Sequence, residues 1–202
     1  MTVQPGHIFI QEGDPAEHFF NVTAGTSKLY KLLPDGRRQV TGFPGIGYFL
    51  GLAVSTSYAF SAESLEPVRI CRFSRTKLRG LLGDFPALEK NLLEVASHEL
   101  VVAQEQMLLL GRKTARERLA SFLIARANLL PHCAGHTLIG TRERIHLPMT
   151  RSDIADYLGL TIETISRTLS RFKAEKLIEI PNNSEIVLLK HDALDVIATG
   201  MT

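Results

Sequence analysis

Residues Leu147–Lys173 run LPMTRSDIADYLGLTIETISRTLSRFK, and the rest of the chain is placed around them. Thr150 is a good helix N-cap, and Asp153 stands three positions later, where a capping box puts its acceptor. Ile154, Ala155 and Leu158 then repeat at helical spacing. Gly159 follows where a left-handed residue closes a helix. Thr161 caps a second helix, with Ile165, Leu169 and Phe172 on one stripe and Glu163, Ser166 and Arg167 on the opposite one. Two short helices with a polar outward face at the start of the second predict a helix-turn-helix. The second helix is the part that enters a major groove.

The chemistry of that face is specific. Glu163 and Arg167 are four apart and share a face, with Ser166 beside them. An arginine fork suits guanine O6 and N7, and a carboxylate accepts from the cytosine N4 amine, so the pair suits one G·C base pair. Such pairs also occur as ordinary surface ion pairs; placement inside a capped helix-turn-helix favours base reading. Thr150, Arg151, Thr161 and Thr164, near the two helix N-termini, are the candidate phosphate contacts.

MTRSDIADYLG followed by GLT and ETISR resembles the recognition region of the CRP/FNR family of bacterial transcription regulators, most closely its FNR and FixK branch. The resemblance implies that Glu163, Ser166 and Arg167 contact a TTGA-type half-site. Cyclic-AMP receptor proteins carry a second Arg before the Glu. Ile162 stands there in this chain, which argues against a TGTGA half-site.

Working outward, the 202 residues suffice for two small domains with their own cores. No apolar run approaches the roughly 18 residues that span a membrane, and no secretory signal is visible. Cys71 and Cys133 are the only cysteines, a usage that fits a reducing cytoplasm rather than a disulfide framework. Charge is uneven: residues 111–180 carry about a dozen Lys and Arg against about seven Asp and Glu. The basic half is the half with the helix-turn-helix, as phosphate contact requires.

Residues 1–83 read as an all-β sensor-type domain. Short apolar runs at His7–Ile10, Phe19–Val22 and Lys28–Leu32 are punctuated by the turns Glu12–Pro15 and Pro34–Gly36, a spacing that suggests a barrel or double-sheet jelly roll. GHIFIQEGD, with AEHFFNVTAGTSKLYKLLPDGRR after it, resembles the cyclic-nucleotide-binding-type barrel of the same family. Nucleotide-binding relatives pair the cyclic phosphate with an Arg late in the barrel. The matching stretch here, Tyr58–Ala62, offers Phe60, which cannot neutralise a phosphodiester. FNR-type oxygen sensors hold an iron–sulfur cluster with four cysteines, and two thiols cannot complete that set. The expectation is no cofactor and no metal. A truncated FNR-type iron–sulfur sensor stays open as an alternative. A cupin-like metalloenzyme is the rival of another class; it lacks closely spaced His ligands, His7 and His18 standing apart, so no enzyme activity is expected.

From Asp84 the pattern turns helical, with Pro86 in the first turn. Leu93, Ala96, Leu100, Ala103, Met107 and Leu110 form a heptad seam, and Val101, Gln104 and Leu108 a second stripe beside it. One stripe is expected on the barrel and one on a partner helix, with residues 84–111 as the dimerisation helix of a homodimer; which stripe is the seam stays open. Gly111–Thr114 is the expected hinge into a DNA-binding domain at 112–202. In it Thr114–Leu130 is helical, with Leu119, Phe122, Leu123 and Ala127 inward. The loop holding His132, Cys133 and His136 matches no closed zinc pattern. Arg144–Leu147 reads as a strand, and Leu177–Ile180 and Glu185–Leu189 as a hairpin across a Pro181–Ser184 turn. A closing helix at His191–Thr199 completes a winged helix. The whole is an α+β chain: an N-terminal jelly roll, a long dimerisation helix and a C-terminal winged helix-turn-helix.

The function the resemblance implies is that of a cytoplasmic regulator, binding double-stranded DNA at a TTGA-type inverted repeat. It further implies an activator that contacts RNA polymerase, with Leu33–Gln39 as the exposed candidate surface, and genes of low-oxygen, nitrogen-fixation or respiratory metabolism.

Overall fold

The structure, a computed structural model, describes residues 1–52, 56–128 and 143–201. It divides into two compact units, Met1–Met107 and Leu108–Thr202.

In the first unit, eight strands form two antiparallel sheets. β1 (Thr2–Val3), β8 (Val68–Ser74), β3 (His18–Ala24) and β6 (Phe49–Leu50) make one, in that order. β2 (Ile8–Ile10), β7 (Ser61–Ser64), β4 (Ser27–Leu32) and β5 (Arg38–Gly42) make the other. Alternating residues turn Val3, Ile10, Phe20, Val22, Leu50, Ala62, Val68 and Ile70 into one buried cluster, the core of a jelly roll. Alternation breaks at Phe19, which is buried although it faces outward. Phe73 on the neighbouring strand covers it, the rings stacking at 5.0 Å. Lys28 is buried opposite its register partner Glu63 and pairs with it at 3.0 Å.

The β domain ends earlier than expected. Ser74 accepts from Lys77 N and opens α1 (Arg75–Asp84), so Asp84 ends one helix instead of capping the next. After Phe85, α2 (Pro86–Arg112) runs for 27 residues. Gly111 does not interrupt it. The break falls at Lys113–Thr114, where a reciprocal capping box starts α3 (Ala115–Asn128): Thr114 N donates to Glu117 Oε2 at 2.9 Å, and Glu117 N to Thr114 Oγ1 at 3.4 Å.

The division of labour along α2 also differs from expectation. Eight of the nine residues of the two stripes are exposed, with Leu93 at 67 %, Leu100 at 61 % and Met107 at 69 %, and only Leu110, at the end of the seam, is half-buried. Neither stripe is the intramolecular one. The half-buried residues of α2 within the first unit lie on a third line, Leu88, Leu92, Val95, Glu99 and Gln106, and Glu99 accepts a hydrogen bond from the Tyr48 hydroxyl. At 100° per residue the two exposed stripes merge into one apolar face about 160° wide.

In the second unit, α3 buries Leu119, Phe122, Leu123 and Ala127 as expected. β9 (Glu143–His146) joins β10 (Ile178–Asn182) and β11 (Glu185–Leu188) in an antiparallel sheet ordered β10-β11-β9. α4 (Arg151–Leu158), α5 (Ile162–Ala174) and α6 (His191–Thr199) complete the winged helix. Pro181, expected in the hairpin turn, lies in β10 instead. That strand is an edge with an irregular register between Glu179 and Asn182, the setting in which a sheet tolerates proline.

Candidate nucleic-acid interface

Local chemistry builds the helix-turn-helix. Asp153 is 2 % exposed. Its carboxylate accepts from Thr150 N at 3.0 Å and Thr150 Oγ1 at 2.7 Å, while its own N–H donates back to Thr150 Oγ1 at 3.1 Å. Gly159 ends α4 with φ of 62°; a Cβ there would also stand 3.3 Å from Leu110 Cδ2. Thr161 then caps α5, accepting from Thr164 N at 3.2 Å. Ile165, Leu169 and Phe172 lock α5 into the core, none more than 3 % exposed.

The opposite face of α5 carries Glu163, Ser166 and Arg167, all three exposed. Glu163 turns back toward the helix N-terminus, where its own backbone N–H and then the Thr161 hydroxyl hold its carboxyl below the ordinary value. The surface ion pair weighed for Glu163 and Arg167 is not formed. Arg167 has no hydrogen-bond or ion-pair partner among the described residues. Donor fork and acceptor thus stand apart on one outward stripe.

Arg151, at the first position of α4, is half-buried and likewise without a partner among the described residues; burial lowers its pKa. A cation in that condition gains most from an incoming anion. The hydroxyls of Thr150, Thr161 and Thr164 are already engaged: Thr150 in the capping box, and the other two with each other at 3.0 Å. The N–H groups of Thr150 and Thr164 are engaged too, with Asp153 and Thr161, so what this region offers a phosphate is chiefly the positive ends of α4 and α5 rather than free hydroxyls.

Two arginines that local spacing did not single out hold this platform. Arg118 donates from Nη1 to Leu158 O, from Nη2 to Leu110 O and from Nε to Lys113 O, each at 2.9 Å. One guanidinium thus caps the carbonyl ends of α4 and α2. Arg116 meets Glu175 in a bidentate pair at 2.9 and 2.6 Å and lies over the Phe172 ring, 5.1 Å from its centroid. Arg171 Nε also donates to Glu175, at 2.9 Å. Under these two guanidinium groups, Arg116 first, the Glu175 carboxyl is lowered to about 2.

The wing is tied by side chains. Asn182 Oδ1 accepts from Ser184 N at 2.9 Å and Ser184 Oγ at 3.0 Å, and Asn182 Nδ2 donates to Glu185 at 2.9 Å. Among the described residues no group of three His, Cys, Asp or Glu could hold a metal ion, and no helix is long and apolar enough to cross a membrane. Cys71 is exposed on β8. His132, Cys133 and His136 lie outside the described residues.

Comparison with known proteins agrees with both units. Residues 117–197 match the family model of the Crp-like helix-turn-helix domain, and residues 1–85 that of the cyclic nucleotide-binding domain. The chain is similar to the transcriptional activatory protein AadR of Rhodopseudomonas palustris, 43 % identical over 87 % of this chain and 72 % of that protein. The nitrogen fixation regulation protein FixK of Bradyrhizobium diazoefficiens is 42 % identical over the same shares of the two chains. Among solved structures, FixK2 from Bradyrhizobium japonicum superposes with a TM-score of 0.88 at 34 % identity, covering 98 % of this chain and 95 % of that one.

Proposed function

Since the chain belongs to the CRP/FNR superfamily of DNA-binding transcription regulators, on its FixK-like branch, we propose that it acts as a homodimer on a TTGA-type inverted repeat. The observation that carries the reading is the outward stripe of α5. Glu163 and Arg167 stand exposed and unpaired with each other on the helix that a winged helix-turn-helix puts in the major groove. Arg167 reads guanine, Glu163 accepts from cytosine, and Ser166 adds a contact beside them. The exposed face of α2 supports the dimer. Leu93, Ala96, Leu100, Val101, Ala103, Gln104, Met107 and Leu108 form it, and Gln104 sets no carboxylate against its own symmetric copy. A two-fold dimer places its recognition helices about one helical turn of DNA apart, which makes the operator an inverted repeat.

In this reading the regulator works in the cytoplasm as an activator of low-oxygen, respiratory or nitrogen-fixation genes; its likeness to a transcriptional activatory protein, AadR, and to a nitrogen fixation regulation protein, FixK, supports the activator role and the last of these gene classes. RNA polymerase is its second macromolecular partner. The turn Leu33–Gln39, closed by an Asp35–Arg37 pair at 2.8 Å, is the proposed contact.

The test is a fluorescence-anisotropy titration at physiological salt, comparing a duplex that carries the TTGA inverted repeat with a scrambled one. Preference for the repeat by the purified protein alone is the expected result. Equal binding to both duplexes would overturn the half-site. A companion measurement separates positioning from reading. Arg151→Ala is expected to weaken both duplexes alike and to lower the log–log salt slope by about one per subunit, since it removes one phosphate contact from each. A loss confined to the repeat would instead make Arg151 a base reader.

A further inference from the structure

Arg171 lies one turn beyond Arg167 and about 40° further round α5, at 100° per residue. That position flanks the base-reading stripe in the last turn, where a long cationic side chain can reach a phosphate rather than a base edge. Its side chain is 68 % exposed, yet its Nε is held by Glu175. The same carboxylate takes both terminal nitrogens of Arg116, whose guanidinium cannot follow Arg171 outward because it is seated on the buried Phe172 ring. Two guanidinium groups beside the recognition helix therefore share the single negative charge of one carboxylate, which holds both in place. With its carboxyl held near 2, Glu175 is ionised at any pH at which DNA is bound.

We propose that Glu175 is a specificity-determining residue, which restrains sequence-independent binding by keeping Arg171 from DNA phosphates. The inference rests on α5 being the groove-entering helix. Phosphate attraction carries no sequence information, and it dominates binding to random DNA. A loosely docked protein has use for any free cation, whatever its direction. On the cognate repeat, base contacts fix the register, and an added arginine gains only what that register allows. Releasing Arg171 therefore narrows the gap between specific and random duplex, the quantity that matters against a genome of competing sites.

The experiment measures affinity for the scrambled duplex between about 50 and 200 mM salt, for the unaltered 202-residue chain and three variants. Glu175→Gln keeps the side-chain shape and removes the charge. It is expected to steepen the salt slope by about one per subunit, so that each new contact widens the affinity difference between about 50 and 200 mM salt by about threefold to fourfold. Arg171→Ala alone is expected to leave the slope at its original value, because that charge is already spent on Glu175. The double variant Arg171→Ala/Glu175→Gln is expected to give back most of the increase. An unchanged slope in Glu175→Gln, or an increase that survives removal of Arg171, overturns the proposal. Loss of affinity for the repeat alone, with the scrambled slope unchanged, overturns it as well and leaves Glu175 a brace for α5. Failure of the original protein to prefer the repeat would count against the half-site only, since the scrambled-duplex series does not use it.

Discussion

Leu100→Glu is expected to turn the proposed dimer into a folded monomer that no longer favours the proposed inverted repeat over a scrambled duplex. Leu100 is 61 % exposed on the single chain, so the substitution disturbs no packing within it. On a two-fold seam the change occurs twice. Each leucine withdrawn forfeits about 1.5–3 kcal/mol of apolar burial. Each carboxylate gained faces its own copy in a surface that excludes water. The pair of changes amounts to about 3–6 kcal/mol before repulsion is counted, or roughly two to four decades in the dimer dissociation constant. Size-exclusion chromatography with light scattering reads the mass, and thermal unfolding checks the fold. A variant that remains dimeric at micromolar concentration would place the seam elsewhere and leave the broad face of α2 without a function.

How far such features are legible in a sequence depends on how local their causes are. The Thr150–Asp153 box, the left-handed Gly159 and the Ile165–Leu169–Phe172 stripe are set by neighbours within four positions, and each formed where its spacing placed it. α1 was not anticipated, since Gly80 and Gly83 weaken its helical pattern and the segment continues straight out of β8. Pro181 marked a turn by propensity. In the sheet it is accommodated because β10 is an edge, a fact about strand order that no local window contains. On α2, periodicity detected apolar stripes but not their destination. The inward line includes Glu99, polar and hence invisible to a hydrophobic pattern, which finds its partner in Tyr48, 51 positions away.

The interface divides in the same way. The residues offered to DNA lie on consecutive turns of one helix and are visible as a stripe. Those that hold the stripe in place come from far along the chain. Arg116 reaches Glu175 across 59 positions, and Arg118 reaches Leu158 across 40. Both sit on the first turn of α3, a helix whose own pattern shows only what it buries. An arginine that caps a distant helix and one that is merely solvated are identical in sequence. Packing tells them apart.

Arg167→Ala tests the stripe itself. The side chain is exposed and has no partner among the described residues, so its removal leaves α5 intact and any loss is a loss of recognition. A bidentate contact to guanine is worth about 1–3 kcal/mol. A dimer makes it twice, for a total of about 2–6 kcal/mol on the repeat, or roughly one and a half to four decades. On the scrambled duplex the arginine contributes only as a charge, and the expected effect there is a salt slope lower by about one per subunit. The variant should also discriminate less at a single G·C pair per half-site, so that substituting that pair in the probe costs it little while it still costs the original protein heavily. Arg167→Lys should fall between the two, because it restores the charge without the planar fork. Parallel losses on both duplexes would show that Arg167 holds a phosphate, and would pass the reading of guanine to another side chain of the same stripe.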